Sequence, residues 1–278
     1  GVIMKKSLVL IISIITFLSF SCVNVNSKKM TIDTKKDKNL YEKKISVFPM
    51  ENVEISNDVI KIFPQKENTT YTISGYFNGQ IVVMKKNTII KLNNAFIENT
   101  SSRAAIKCEE KTEISAAKDS VNYVVSSGRG FFTNAALQSE RDLVIGGSGT
   151  LFIRGYKCHG VEAEDVKIKG SGDIYIEGTK AGSAVTCDSF TVEEGKTFNC
   201  YLLNSKNGIK ADEEMKIASG NFYIFNNDVA LKTDDESENK IHSINISDAK
   251  VFTFGNKQLY ITDDGMFNAC ESVFEEIK

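Results

Sequence analysis

The sequence predicts an all-β fold, a parallel β-helix whose coils each contain three short strands. Two observations predict it. Apolar anchor residues recur about every 22–24 positions, at Leu137, Val161, Val185, Ile209 and Leu231. Between anchors, apolar and polar residues alternate in short segments, the pattern of strands with one buried face. A period in the twenties without a helical pattern is typical of a solenoid.

Each period contains three such segments. In one coil they span 161–163, 166–168 and 174–176. Glycine recurs between the second and third segments, at Gly170, Gly195 and Gly220. Tight turns need a backbone without Cβ at such positions. Each strand is therefore expected to pair with its equivalent one coil later, about 4.8 Å away.

The flanking regions are less regular. Strand-like segments at 71–73, 81–83, 88–92 and 95–97 predict the first coils and a cap over the open end. The segment 118–134 reads as an insertion loop, because the anchor spacing from Ile106 to Leu137 is longer than a period. The last residues, 273–277, are interpreted as a short capping helix.

The N-terminus has the order of an export signal: Met4-Lys5-Lys6, an apolar and small run over 7–21, then Cys22. Residues 18–22 resemble a bacterial lipobox, in which the cysteine is lipidated. We therefore expect a signal peptide with lipobox (1–22), a flexible polar tether (23–44) and a β-helix domain (45–278). A plain cleaved signal and an uncleaved anchor are the alternatives. The expected location is periplasmic or at the cell surface, as a membrane-anchored lipoprotein.

Composition excludes some partners and crosslinks. The net charge is −2 and no basic stripe occurs, so nucleic acid is not an expected partner. Position two after each anchor holds small residues, among them Cys108 and Cys187. In an inward column of this kind cysteine serves as a small hydrophobe, and we expect no disulfide framework.

Three positions after each anchor stands an acid: Glu109, Glu140, Glu164, Asp188, Asp212 and Asp234. Stacked carboxylates about 4.8 Å apart repel by about 1 kcal/mol per pair in water, so something must offset the repulsion. The acids either accept backbone N–H groups in the following turn, pair with the outward Lys107, Lys210 and Lys232, or bind Ca²⁺. The predicted calcium ligands are Asp212, Asp228, Asp234, Asp235, Asp188 and Glu164.

A second outward column is predicted on the third strands. Its members are Phe152, Tyr175, Asn199, Tyr223 and, less regularly, Phe252. Flat rings can stack on the apolar face of a sugar. Alternatively, the rings stabilise the sheet by same-face packing or lie beneath the N-terminal segment.

Several motifs, in order along the chain, resemble those of a known family. They are the segments 71–75 (YTISG), 79–83 (GQIVV), 92–97 (LNNAFI), 104–106 (AAI), 149–151 (GTL) and 207–212 (NGIKAD). The family comprises bacterial carbohydrate-binding-domain proteins with a right-handed parallel β-helix similar to polysaccharide lyases. The resemblance covers roughly residues 70–254. It implies a secreted or surface-attached protein that binds acidic or cellulosic polysaccharide, with calcium on the helix and no strong catalysis.

The chain departs from the family's calcium-binding repeats, which resemble Asp-Asp-Gly-Ile followed by Lys or His and further Asp. The place of the first acids is taken by the pairs 158–159 (CH), 182–183 (GS) and 206–207 (KN). Only the stretch from 227–228 (ND) to 231–235 (LKTDD) stays acid-rich.

We therefore expect a non-catalytic surface lipoprotein that binds a uronate-type polysaccharide, with calcium assistance. The predicted carbohydrate-binding residues are Tyr175, Tyr223, Phe152, Asn199, Lys210 and Lys232. The alternatives are a polysaccharide lyase, in which Lys210 or Lys232 acts as base, and a structural surface protein or adhesin. Release of unsaturated products would favour the lyase, and a lack of glycan affinity would favour the adhesin.

Overall fold

The computed structural model describes residues 23–26, 29–32, 41, 44–127, 135–225, 227–233, 242–262, 266–269 and 274–277. These residues form an all-β structure in which most strands pair in parallel. They contain no α-helix of the length and apolar character that a bilayer crossing requires. The predicted signal peptide, Cys22, Asp234 and Asp235 lie outside the described residues.

The N-terminal part precedes the regular repeats. Its strands are β1 (Val23–Asn26), β2 (Lys29–Ile32), β3 (Ser46–Phe48), β4 (Val53–Ile55), β5 (Val59–Ile62), β6 (Thr70–Asn78), β7 (Gln80–Val83), β8 (Thr88–Asn99), β9 (Ile106–Cys108), β10 (Thr112–Ala116) and β11 (Val121–Ser126). The pairs β1–β2, β3–β6 and β4–β5 are antiparallel. The predicted tether therefore contains two paired strands, of which β1 alternates valine and asparagine.

The remaining strands follow in sequence order. They are β12 (Ala135–Ser139), β13 (Leu143–Gly147), β14 (Thr150–Gly155), β15 (His159–Glu162), β16 (Asp165–Ile168), β17 (Asp173–Glu177), β18 (Val185–Val192), β19 (Asn199–Leu203), β20 (Asn207–Ile217), β21 (Asn221–Phe225), β22 (Val229–Thr233), β23 (Ser243–Ile246), β24 (Lys250–Phe254), β25 (Gln258–Thr262), β26 (Met266–Ala269) and β27 (Phe274–Ile277).

The repeat predicted from the anchors is confirmed by the strand register. Leu137 pairs with Val161, Val161 with Val185, Val185 with Ile209, and Ile209 with Leu231, all in parallel. We call the anchor-bearing strands first strands, and the two that follow in each repeat second and third strands. The long strands β18 and β20 each combine a first and a second strand.

The core lies between these strands, where their inward side chains stack from repeat to repeat. Anchors and their second- and third-strand counterparts form one continuous buried cluster. Cys108, Cys187 and Ala211 occupy the predicted small-residue column and are buried. Cys200 is also buried, paired with Ile174 and Phe222.

Two flanking predictions were wrong. Part of the predicted insertion loop 118–134 is strand β11, a third strand that pairs with β8 and β14. The long anchor spacing had concealed the run of β-formers over Val121–Ser126. The predicted capping helix at 273–277 is instead strand β27, which pairs with β24. Pairing with an exposed strand edge satisfies more backbone groups than one helical turn can.

The turn glycines take the left-handed conformation that the sequence predicted. Gly170 and Gly195 have φ of 103° and 71°. A Cβ at Gly170 would lie 2.2 Å from the carbonyl oxygen of Gly147, whereas a Cβ at Gly195 would meet nothing within 4 Å. Both turns therefore need glycine for its conformation, and only the first also needs it for space.

This difference gives a testable prediction. Gly195→Ala is expected to lower the free energy of unfolding by about 1–3 kcal/mol, the cost of a strained left-handed residue. Gly170→Ala should cost more, because the backbone of the neighbouring repeat must also move. Urea denaturation of both variants measures the difference, and equal losses would contradict the close stacking of these turns.

Candidate functional site

The acidic column lies on the outward side of the structure, beside the first strands. Three of its acids are paired with cations. Lys107 Nζ lies 2.6 Å from Glu140 Oε1, Arg141 Nη1 3.4 Å from Glu164 Oε2, and Lys210 Nζ 2.7 Å from Asp212 Oδ1. Lys107 thus pairs with the acid of the next repeat, whereas Lys210 pairs within its own. Of the three offsets that the sequence left open, ion pairing is the one seen at these positions.

The described acids do not assemble a calcium site. Asp212 lies three residues after its anchor and Asp228 three residues before the next, so the first strand separates the two carboxylates. These two predicted ligands therefore do not meet at one ion. Within the described ranges, no three His, Cys, Asp or Glu side chains gather closely enough to hold one ion, whereas Ca²⁺ takes six to eight oxygen ligands. Calcium at Asp234 and Asp235 stays a prediction.

The aromatic column is real, but it has different members and a different exposure. From Phe96 the rings stack through Tyr123, Phe152, Tyr175, Tyr201 and Tyr223 to Phe252, with centroids 4.3–5.2 Å apart. We call these seven rings the aromatic ladder. Phe152 and Tyr175 are only 0% and 4% exposed. Because each ring faces its neighbours, a sugar could reach ring edges and not faces.

Asn199 lies outside the ladder, in a neighbouring polar row of the same strands. The register pairs Tyr175 with Tyr201, and Asn199 with Asp173 and Asn221. Asn199 Nδ2 donates to Asp173 Oδ1 at 2.8 Å, and Asn221 Nδ2 donates to Asn199 Oδ1 at 3.0 Å. The sequence reading missed Tyr201 because the connection before β19 is longer than its equivalents.

The N-terminal segment covers part of the ladder. Tyr41 is 8% exposed, and its ring lies 5.6 Å from that of Phe96 and 6.0 Å from that of Tyr123. Its hydroxyl donates to the carbonyl oxygen of Val121 at 2.6 Å. Strand β2 lies beside β17, which carries Tyr175. Part of the ladder therefore lies beneath the N-terminal segment, which is one of the alternatives that the sequence left open for the rings.

A group that the sequence reading missed lies at the turn before the first strands. Lys206, Asp228 and Lys257 occupy equivalent positions in three consecutive repeats, because the residues that follow them pair in register. Lys180 comes from a preceding turn that accepts two hydrogen bonds from the backbone N–H of Lys206. We call Lys180, Lys206 and Lys257 the lysine cluster.

The charges of the three lysines act on one carboxylate. Lys257 Nζ lies 3.0 Å from Asp228 Oδ1, and Lys180 Nζ lies 3.8 Å from it. The hydrogen bond from Lys257, with the charges of Lys257, Lys180 and Lys206, holds the pKa of Asp228 below its usual value. The ammonium groups are largely exposed. Within the described residues, the three lysines therefore bring positive charge to one accessible surface around Asp228.

The predicted ligands Lys210 and Lys232 continue this surface along the same strands. Their Cα positions are register partners on β20 and β22, and both side chains are partly exposed. Lys210 lies four residues after Lys206, and Lys232 lies four residues after Asp228. The cationic surface thus runs from the turn onto the first strands.

His159 lies near this surface as a neutral imidazole. The backbone N–H of Ser183 donates to His159 Nδ1 at 2.8 Å, so the ring proton sits on Nε2. Burial, and then the charge of Lys210, lower the pKa of His159. Since its Nδ1 lone pair is occupied, the ring can donate from Nε2 but offers no free basic nitrogen.

The lowered pKa of His159 predicts a pH dependence. The unfolded chain takes up this proton near the ordinary pKa of about 6.5, whereas the folded protein resists it. The contribution of His159 is therefore complete above that pH and is lost as the pH falls toward the lowered value. His159→Asn keeps an acceptor but cannot titrate, so its free energy of unfolding should fall less between pH 7 and pH 5. Parallel urea titrations at both pH values test this, and equal losses would contradict it.

The chain resembles known proteins in both sequence and fold. A family model described as "Carbohydrate-binding domain-containing protein" matches residues 56–198, just over half of the chain. The chain belongs to this family. The chain is also similar in fold to a polysaccharide lyase-like protein from C. thermocellum, solved as a gadolinium derivative, with 22% identity and a TM-score of 0.62. The alignment covers 82% of this chain and 93% of that one. No curated protein sequence gave a significant match.

Proposed function

We propose that the domain is a right-handed parallel β-helix that binds an acidic, uronate-type polysaccharide at the lysine cluster without cleaving it. Parallel pairing of each strand with its equivalent in the next repeat supports the β-helix. Membership of a carbohydrate-binding family supports the ligand class. The observation that carries the site is the placement of Lys180 and Lys257 against the carboxylate of Asp228, with Lys206 at the equivalent position of the preceding repeat.

The charge balance of this surface favours an anionic chain. Lys180, Lys206 and Lys257 bring three positive charges to this surface, and Lys210 and Lys232 extend it onto neighbouring strands. Repeats stand about 4.8 Å apart, so Lys210 and Lys232, on successive repeats, can meet successive carboxylates of a uronate polymer. Exposed ion pairs are each worth only about 0.2–1 kcal/mol. Affinity therefore comes from several contacts along one chain.

Binding at this surface needs no calcium in our proposal, because the protein's own ammonium groups meet the uronate carboxylates. Of the predicted calcium ligands, Glu164, Asp212 and Asp228 are already paired with Arg141, Lys210 and Lys257. A cation bridging through Asp234 and Asp235 is the competing proposal. Binding that a chelator abolishes would favour it.

The proposal includes no catalysis. β-Elimination at a uronate requires a base that is unprotonated near the sugar. His159 has its Nδ1 engaged by Ser183, and Lys210 is held as an ammonium against Asp212. Incubation with polygalacturonate, followed by ultraviolet absorbance for unsaturated ends, tests this. We expect binding without product, and steady product release would establish a lyase instead.

We also propose that a lipid on the N-terminal segment anchors the protein to a membrane. Lipidation at Cys22 would hold the protein on a membrane, in the periplasm or at the cell surface. Tyr41, packed on the aromatic ladder, marks where the N-terminal segment meets the domain. Metabolic labelling with a fatty-acid analogue tests the anchor, because Cys22→Ala should lose the label.

A further inference from the structure

A groove of about 740 Å³ lies beside the second strands, whereas the lysine cluster lies at the turn before the first strands. Lys206 immediately precedes β20, and Lys216 lies at its far end beside the groove. The residues that line it and matter here are Thr191, Lys216, Ala218, Asn245, Ser247 and Asn268. All but Thr191 lie beyond the part of the chain that the family model matches. We propose that this groove binds a segment of an N-acetylated amino-sugar chain, independently of the lysine cluster.

Charge pairing around the groove favours a neutral ligand. Lys216 Nζ lies 2.7 Å from Glu214 Oε2. Glu193 pairs with Lys167 and with Lys196, and its hydrogen bond from Lys167 lowers its pKa. Glu194 also lines the groove, so a uronate carboxylate would meet a further acid, and a free amine would meet the ammonium group of Lys216. A neutral polyhydroxylated chain would meet neither repulsion.

The groove presents a row of amide groups to such a chain. Asn245 and Asn268 are register partners on β23 and β26. Asn268 Nδ2 donates to Asn245 Oδ1 at 2.8 Å, and Asn245 Nδ2 donates to Ser243 Oγ at 3.0 Å. Each of these bonds uses one of the two N–H groups of its amide. The second N–H groups and the Asn268 oxygen suit the amide of an acetamido substituent, which both donates and accepts.

The remaining lining distinguishes an acetylated sugar from a plain one. Among the residues that the structure describes, no aromatic ring lines the groove, so a glucose unit would find no flat surface there on which to stack. Ala218 and the aliphatic parts of Thr191 and Lys216 offer small apolar contacts instead. An acetyl methyl group fits such contacts. The volume is within the range of about 300–1,000 Å³ that is usual for ligand sites.

Three soluble probes test the proposal: β-1,4-linked hexamers of N-acetylglucosamine, of glucose and of glucosamine. They share a backbone and differ only at carbon 2. Calorimetry on the full protein should detect binding of the acetylated hexamer and at least tenfold weaker binding of the other two. Asn268→Ala should weaken binding about fivefold, as expected for about one hydrogen bond. Ser247→Arg, at an exposed position, should block the groove.

The matched control is Asn57→Ala, which removes an exposed amide from the N-terminal part of the domain. It should bind the acetylated hexamer like the unmodified protein, as should a variant that lacks the lysine cluster. Equal affinity for the glucose hexamer, no binding of the acetylated hexamer, or an unchanged affinity in Asn268→Ala would each overturn the proposal. Polygalacturonate binding, measured on the same samples, reports on the lysine cluster separately.

Discussion

Replacing Lys180, Lys206 and Lys257 together by alanine is expected to weaken binding of polygalacturonate about tenfold. Three exposed charge pairs at about 0.5 kcal/mol each contribute about 1.5 kcal/mol, which corresponds to about tenfold in affinity. The salt dependence of binding should fall as well, because fewer ion pairs form. Affinity electrophoresis in gels containing the polymer, at two salt concentrations, measures both effects.

Two further variants make this result specific. Asp228→Asn removes the carboxylate that competes for the lysines, so it should strengthen binding. Lys66, Lys85 and Lys86 are exposed in the N-terminal part of the domain, and replacing all three by alanine changes the net charge equally. That control should bind almost normally. Equal losses in the two triple variants would show that general charge, and not the lysine cluster, governs binding.

Tyr175→Ala is expected to lower the free energy of unfolding by about 3–5 kcal/mol, as for other large buried side chains. The Tyr175 ring is 4% exposed and stacks between Phe152 and Tyr201, with centroids 4.6 Å and 4.3 Å away. Its removal leaves a cavity in the ladder and breaks two ring contacts. Urea denaturation gives the loss directly.

Tyr175→Phe is the conservative control, because it keeps the ring and gives up only the hydroxyl. We expect it to lose about 1 kcal/mol at most and to bind polysaccharide normally. A Tyr175→Ala protein with normal stability and no sugar binding would contradict the structural role of the ladder. Such a result would indicate that the Tyr175 ring contacts the sugar.

The repeat itself could be predicted because it depends on residues that every coil must share. Anchors such as Val161 and Ile209 bury their side chains only by stacking on equivalents, so spacing alone fixes their register. The turn glycines could also be predicted from the sequence, because the left-handed conformation at positions such as Gly170 strongly favours glycine.

Errors arose where connections differ in length. The third strands do not follow the anchors at a constant distance, and Asn199 was therefore placed where Tyr201 lies. A long spacing was likewise interpreted as a loop, although it contains β11. Parity along a strand is reliable, but it does not carry across a connection of variable length.

The lysine cluster could have been found from the same register. Lys206 and Asp228 both stand three residues before an anchor, a position that the sequence reading considered only for missing acids. Lys180 could not be found in this way, because it reaches Asp228 from a different turn. The burial of Phe152 was also beyond a sequence argument, since parity places a side chain outward without saying whether another segment covers it.

The most direct test of the account is retention of the protein on immobilised polygalacturonate, with calcium and then with a chelator. The lysine cluster predicts retention in both conditions and elution by moderate salt, because ammonium groups make the contacts. No retention in either condition would contradict the proposed function and favour a structural surface protein or adhesin. Retention that the chelator abolishes would contradict the lysine account and assign the contact to a bridging cation.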